Sequence, residues 1–172
     1  MFTAGQYEAS VAASERAAEL ARTGGDDLTR VRTDVQRLNI LQVLSRLADA
    51  LRVGQELLPL AESVGDLDGV VLTLHNLAYI HALQGALAAS WGHMARALAP
   101  AEHTGDPGRL AYTLALRGWI AIMGGDWRGA AADLDRARAL SRQGNQSWWS
   151  GRSWPSFNAW VHAWTRAEPS RL

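Results

Sequence analysis

The five histidines are the side chains whose chemistry could extend to metal binding or proton transfer: His75, His81, His93, His103 and His162. Two histidines that hold one metal from a single helix are normally four residues apart, whereas His75 and His81 are six apart. His103 and Asp106 are separated by Gly105, which is expected to end the helix between them. The other two have no histidine or carboxylate partner at helical ligand spacing. We therefore interpret the histidines as surface or groove residues and expect no metal and no cofactor.

Motifs for covalent or phosphate chemistry are also missing from the sequence. It contains no nucleophile elbow, phosphate-binding loop or zinc-binding helix motif. We interpret Gly124-Gly125-Asp126 as a helix stop followed by a helix cap, not as a phosphate site. The carboxylates are scattered over expected caps and outer helix faces, so they do not suggest a catalytic pair. The sequence thus predicts a protein that is not an enzyme.

Composition excludes several classes of partner. The chain of 172 residues carries 17 basic and 17 acidic side chains, and every basic one is arginine. This balance gives no basic face for a phosphate backbone, so we expect no direct binding to nucleic acid. Cysteine is absent, which rules out disulfides and fits a reducing cytoplasm. No apolar run reaches membrane-spanning length, and the N-terminus lacks the pattern of a signal peptide. We expect a cytoplasmic protein without a membrane partner.

Turn-forming residues reveal an internal repeat. Glycine followed by aspartate recurs at a constant interval, at Gly25, Gly65 and Gly105, and Gly144-Asn145 follows one position short of the same interval. A second series, offset by half a period, contains Gly5, Ser45, Gly85 and Gly125. A column of small residues follows this second series: Ser10, Ala50, Ser90 and Ala130. Two turns in each period indicate a repeating unit of two helices.

The chemistry of these turns predicts where helices begin and end. Glycine supplies the positive φ that closes a helix, and we expect it at Gly65, Gly105 and Gly125, while Asp or Asn caps the next helix. Pro59 and Pro100 should bend their helices or end them early. The spacing of apolar residues between stops is helical, and no strand pattern is present. The predicted helices span 6–22, 27–43, 46–63, 67–83, 86–103, 107–123, 126–142 and 154–166.

The repeat also defines the expected organisation of the chain. Residues 1–143 are predicted to form helical repeats, comprising a half repeat at 5–24 and full repeats at 26–64, 66–104 and 106–143. Because the pattern opens on the second helix of a repeat, we expect the sequence to be a piece of a longer protein. The final segment, 144–172, contains a Trp-rich loop and a helix with apolar residues on one stripe: Phe157, Trp160, Val161 and Trp164. This helix is expected to cap the open end of the repeats.

The repeat resembles the tetratricopeptide (TPR) family. TPR units combine a small residue in the first helix, a Gly-Asp-Tyr-like turn, and alanines in the second helix. Gly118, Gly125-Asp126-Trp127, Ala130 and Ala137 reproduce this pattern well, and the unit at 76–97 reproduces it fairly. The unit at 36–57 is a poorer copy because Leu38 and Ser45 replace the small residue and the glycine. The resemblance implies an all-α, right-handed α-solenoid of antiparallel helix pairs, with about eight helices and a period of ~40 residues.

The resemblance also implies where a ligand would bind. In TPR proteins the concave face is lined by residues of the first helix of each pair. Carried over by position, one column of this face contains Asn39, Tyr79, Trp119 and Asn158, and a neighbouring column contains Val35, His75, Ala115 and Trp154. Asn76, Tyr112 and Ile122 flank these columns, together with Arg32, Gln36, Gln42 and Leu72. Such a surface offers amides for a peptide backbone and aromatic rings for apolar groups. Some of these aromatic residues could instead pack between adjacent helices.

The length of the period points to a particular kind of TPR protein. A period of ~40 residues is longer than that of the usual TPR and is similar to the TPR-like tails of bacterial signal-transduction ATPases, including LuxR-type activators. We therefore predict a binding and regulatory scaffold within a larger bacterial regulator of transcription. Its partner would be a protein, a peptide or a small effector on the concave face. The alternative is an assembly module that forms homo-oligomers through its Trp-rich end, since five of the eight tryptophans lie between Trp148 and Trp164.

Overall fold

Helices fill the part of the chain that the computed structural model describes, residues 4–141. They are α1 (Ala4–Gly24), α2 (Asp27–Val43), α3 (Leu47–Ser63), α4 (Leu67–Leu83), α5 (Leu87–His103), α6 (Pro107–Met123) and α7 (Trp127–Ser141). This range contains no strand, and none of its helices is both long and apolar enough to cross a bilayer. The all-helical prediction is confirmed. The predicted eighth helix, 154–166, and the whole Trp-rich segment lie outside the described residues.

Each helix packs on its neighbours in the chain, and every second helix packs on the next but one. We refer to α2, α4 and α6 as the A helices, and to α1, α3, α5 and α7 as the B helices. In addition to the contacts between successive helices, α2 contacts α4 and α4 contacts α6. The A helices thus lie side by side, which is the stacking of helix pairs expected for a solenoid.

The apolar core is a series of overlapping clusters that follows the stack. One cluster joins α1, α2, α3 and α4 through Val11, Leu38, Val53 and Ile80. A second cluster continues from α2 to α5, and a third joins α4, α5, α6 and α7. Because each cluster shares helices with the next, each helix pair is stabilised mainly by its immediate neighbours.

All six turns contain a residue with positive φ just after a helix: Gly25, Ser45, Gly65, Gly85, Gly105 and Gly125. In the turn after α3, the Gly65 amide donates to the Glu62 carbonyl at 3.2 Å and the Asp66 amide donates to the Ala61 carbonyl at 3.1 Å. This pair of bonds is a Schellman motif. Asp66 then caps α4, because its side chain accepts a hydrogen bond from the Gly69 amide. The predicted positive φ at Gly65, Gly105 and Gly125 is confirmed.

Two opposite substitutions test the turns. Gly105 has a φ of 68°, and a Cβ atom added there would meet nothing within 4 Å. Gly105→Ala should therefore destabilise the protein by about 1 kcal/mol through backbone strain alone. Ser45 already bears this strain at a φ of 58°, so Ser45→Gly should stabilise it by about 0.5 kcal/mol. Urea melts of both variants would measure the changes, and shifts of the same sign would contradict this account.

The two mid-helix prolines do not end their helices. Pro59 lies inside α3, which continues to Ser63, and Pro100 lies inside α5, which continues to His103. Of the two expected effects, an early end therefore does not occur, and the helices end where the turn residues predicted. The physical reason is their exposure: Pro59 is exposed and Pro100 is half-buried. Water can therefore reach the carbonyl groups that lose a hydrogen-bonding partner.

Candidate functional site

Polar side chains join the A helices where these lie side by side. The Gln42 side chain on α2 donates a hydrogen bond to the side-chain oxygen of Asn76 on α4. Asn76 in turn donates to the Leu72 carbonyl at 2.7 Å. Between α4 and α6, the Arg109 guanidinium lies 3.1 Å from the Asp68 carboxylate. The Asn76 amide is thus used within the protein, since this residue is 1% exposed.

His75 is fully buried between α4 and α6. Its Nε2 lies 2.9 Å from the Thr113 hydroxyl oxygen, and this hydroxyl donates its hydrogen to the Arg109 carbonyl at 2.9 Å. Because a hydroxyl group has one hydrogen, the His75 Nε2–H must be the donor in the first bond. Burial, and secondarily the charge of Arg109, lower the pKa of His75 from 6.5 to about 3. His75 is therefore a neutral core residue at physiological pH.

Aromatic rings from α4 and α6 form a cluster beside His75. The Tyr79 and Trp119 rings stack with centroids 5.7 Å apart and planes inclined by 27°. The His75 and Tyr112 rings lie 5.3 Å apart. Burial raises the pKa of both the Tyr79 and the Tyr112 phenol. Tyr112 and Trp119, both on α6, are half-buried.

An open cleft is lined by α2 and by the N-terminal parts of α4 and α6. Its volume is about 200 Å³, and its lining includes Arg32, Val35, Gln36, Asp66, Asp68, Leu72 and Arg109. Val35 and Leu72 supply apolar atoms to the cleft, and arginine and aspartate side chains surround them. Arg109 and Asp68 already form an ion pair, and Asp66 caps α4. Arg32 and Gln36 are exposed and can therefore reach a ligand.

The predicted binding residues divide into a partly exposed column and a buried column. The column of Val35, His75 and Ala115 is 3%, 0% and 0% exposed. It lies in the core because the A helices pack closely along it, although Val35 also lines the cleft. In the other column Asn39 and Trp119 are half-buried, and Tyr79 is 7% exposed between them. Tyr112 and Ile122 are half-buried, whereas Trp154 and Asn158 fall outside the described residues.

Two features of the site were not evident from the sequence. His81 on α4 and His93 on α5 stack with ring centroids 5.3 Å apart, although no helical spacing links them. Burial, followed by the neighbouring His81 and Arg96, lowers the pKa of His93. Within residues 4–141, no group of three or more metal-binding side chains is present. Trp127, at the start of α7, is 67% exposed.

Comparison with known proteins gives a structural neighbour. No family model and no curated protein matches the chain. Among solved structures, the crystal structure of BtubC (BKLC) from P. vanneervenii matches with a TM-score of 0.70 and 20% sequence identity. The match covers 81% of this chain and 58% of BtubC. The likeness is one of fold. This chain therefore shares a helical-repeat architecture with BtubC and matches little more than half of that protein's length.

Proposed function

We propose that this chain is a TPR-like, right-handed solenoid that binds a peptide segment of a protein partner along its A helices. The observation that carries the proposal is the open cleft, which is lined by residues of α2, α4 and α6; the half-buried Tyr112 and Trp119 lie further along α6. Three helices contribute to this surface, so its shape depends on how the repeats stack. We further propose that the scaffold serves as the sensor or interaction part of a larger, cytoplasmic bacterial regulator of transcription.

The chemistry of the surface favours an extended peptide with apolar and polar side chains in alternation. Val35 and Leu72 provide an apolar floor for one side chain, and the faces of Tyr112 and Trp119 suit another. Arg32 and Gln36 can hydrogen-bond to a carboxylate or to backbone carbonyl groups. Since the cleft contains two arginines and two aspartates, long-range charge does not restrict the ligand to one sign. Selectivity would come from local hydrogen bonds and side-chain fit.

Ligand binding could act on an attached domain through the stacking of the A helices. A peptide that touches α2, α4 and α6 together favours the arrangement of helices in which all its contacts form. Such a ligand shifts the population towards the conformer that it binds more tightly, and the size of the shift depends on the difference between its affinities for the conformers. The bridges from Gln42 to Asn76 and from Arg109 to Asp68 connect the same three helices. These bridges stabilise the helix arrangement of the unbound protein, and a ligand that favours another arrangement would have to disrupt them.

Selection from a random peptide library displayed on phage tests the binding proposal. Peptides selected on the wild-type protein should bind Arg32→Glu or Leu72→Ser at least tenfold more weakly, a difference of about 1.4 kcal/mol. Arg128→Glu is the matched control, because Arg128 is an exposed arginine on the B helix α7. Fluorescence titration would give the dissociation constants, and thermal melts would verify folding. Equal binding by the wild type and both cleft variants would refute the proposal.

A further inference from the structure

Histidines from two neighbouring helices meet in the middle of the stack. His81 lies in the last turn of α4 and His93 in the second turn of α5. Their ring centroids are 5.3 Å apart and their planes are inclined by 13°, and both residues are half-buried. The α4 residues that line the cleft include Asp68, Gly69 and Leu72. The histidine pair therefore lies at the opposite end of α4 from the cleft.

The other repeats place different side chains at this contact between an A helix and a B helix. One repeat earlier, the same two positions hold Leu41 and Val53, which are each 2% exposed and belong to one apolar cluster. One repeat later, the B-helix position holds Asp133, which accepts a hydrogen bond from Arg117. An apolar pair thus suffices for packing here, and the two imidazoles add a chemistry that the packing does not need.

The ring nitrogens of this pair are available to a ligand. One ring nitrogen of His75 and one of His103 are engaged in hydrogen bonds inside the protein. Among residues 4–141, no comparable hydrogen bond engages the rings of His81 and His93, which contact each other. Because both rings are also half-exposed, each can offer a nitrogen lone pair to a ligand from solvent.

The electrostatic surroundings keep His93 in the form that binds metals. Burial, followed by His81 and Arg96, lowers the pKa of His93. The ring is therefore mostly neutral at pH 7, and only a neutral imidazole can be a metal ligand. The Arg96 guanidinium lies 2.7 Å from the Glu62 carboxylate. This carboxylate offsets part of the repulsion that Arg96 would exert on a bound cation.

The separation of the two rings matches that of two imidazoles on one ion. Zinc–nitrogen bonds of about 2.1 Å in tetrahedral geometry place the centroids of two coordinated rings roughly 5 Å apart. The observed separation is 5.3 Å. To bind an ion, the rings must turn from their parallel arrangement until one nitrogen of each points at it. The distance between their centres need not change.

We propose that His81 and His93 together bind one divalent transition-metal ion of the zinc type, which links α4 to α5. Imidazole nitrogen suits zinc, copper and nickel, whereas calcium and magnesium prefer oxygen ligands. Water completes the coordination, since both rings are half-exposed. The bound ion holds together the two helices of the middle repeat. The inference is independent of peptide binding, because neither histidine lines the cleft.

Isothermal titration calorimetry with ZnCl₂ tests the proposal on the full chain without a histidine affinity tag. The wild type should bind one zinc ion per chain at about pH 7.5, where ordinary imidazoles are mostly neutral. His81→Gln and His93→Gln each remove one ligand. Each should therefore raise the dissociation constant for zinc at least about tenfold.

Two further variants separate zinc binding from folding. His81→Leu combined with His93→Val recreates the apolar pair of the first full repeat and should give a folded protein without a zinc site. Zinc should raise the melting temperature of the wild type and leave that of this double variant unchanged. His103→Gln alters an exposed histidine and should keep the wild-type affinity. The proposal is overturned if the wild type binds no zinc, if either single variant binds it as tightly as the wild type, or if His103→Gln abolishes binding.

Discussion

Mild acid is expected to destabilise this protein by about 3 kcal/mol between pH 7 and pH 4 through His75 alone. Burial holds the pKa of His75 at about 3, below its ordinary value of 6.5. A group whose pKa is lowered on folding stabilises the fold fully above its unfolded pKa. That contribution is lost as the pH falls from 6.5 towards 3, at about 1.4 kcal/mol for each pH unit. Urea melts at intervals across this range would give the slope.

A matched pair of variants isolates the contribution of His75. His75→Gln retains an amide that can donate to the Thr113 hydroxyl but cannot ionise in this range. The stability of this variant should therefore vary much less with pH. His103→Gln changes an exposed histidine and should keep the wild-type slope. Titration followed by NMR gives an independent reading, and a His75 ring that takes up a proton near its ordinary pKa of 6.5 would contradict the expected behaviour.

Gly118→Val should destabilise the protein by about 3 kcal/mol. A Cβ atom at this position would lie 2.8 Å from Cγ of Leu134 and 3.3 Å from the Ala130 carbonyl oxygen. Valine adds two methyl groups beyond that Cβ, and the backbone of α7 limits how far the helix can retreat. Overpacking of this kind costs roughly 1–3 kcal/mol, and the value should lie near the upper end. Chemical denaturation would measure it.

Gly92→Val is the control for this substitution. Gly92 also lies within a helix, but it is exposed and a Cβ atom there would meet nothing within 4 Å. The same change should therefore alter stability by less than about 0.5 kcal/mol, with a small gain from helix propensity. If the two variants were equally stable, the close approach of α6 and α7 at Gly118 would not constrain the side chain.

The sequence predicted the helices well because their ends are determined locally. Glycine with positive φ and a capping aspartate act within a few residues, so the expected range 67–83 coincides with α4 (Leu67–Leu83). The exposed Pro59 shows the limit of such rules. Its effect on α3 depends on whether water reaches the neighbouring carbonyl groups, which is a property of the folded surface. Ser45 shows the opposite case, since the repeat overrides an unfavourable residue at a glycine position.

The candidate site was less predictable because it depends on how helices approach each other. Their positions in the repeat predicted that Val35 and His75 lie on the concave face. Repeat position could not show that the close packing of the A helices buries this column. Trp119 and Trp127 illustrate the same difficulty. Trp119 stacks on Tyr79 and Trp127 is largely exposed, and neither environment follows from spacing along the sequence. The stacked rings of His81 and His93 come from two helices, so no spacing within one helix could reveal them.

The turns described above also bear on how such a chain can change its length over evolutionary time. Each Gly-Asp turn closes one helix with its glycine and opens the next with its aspartate, as Gly65 and Asp66 do. An in-frame duplication of residues 66–105, inserted after Gly105, would recreate a Gly-Asp junction at both ends. No new turn sequence would be needed, and every downstream helix would keep its position in the repeat. Recombination between copies of such turns can therefore add or remove whole helix pairs in a single step.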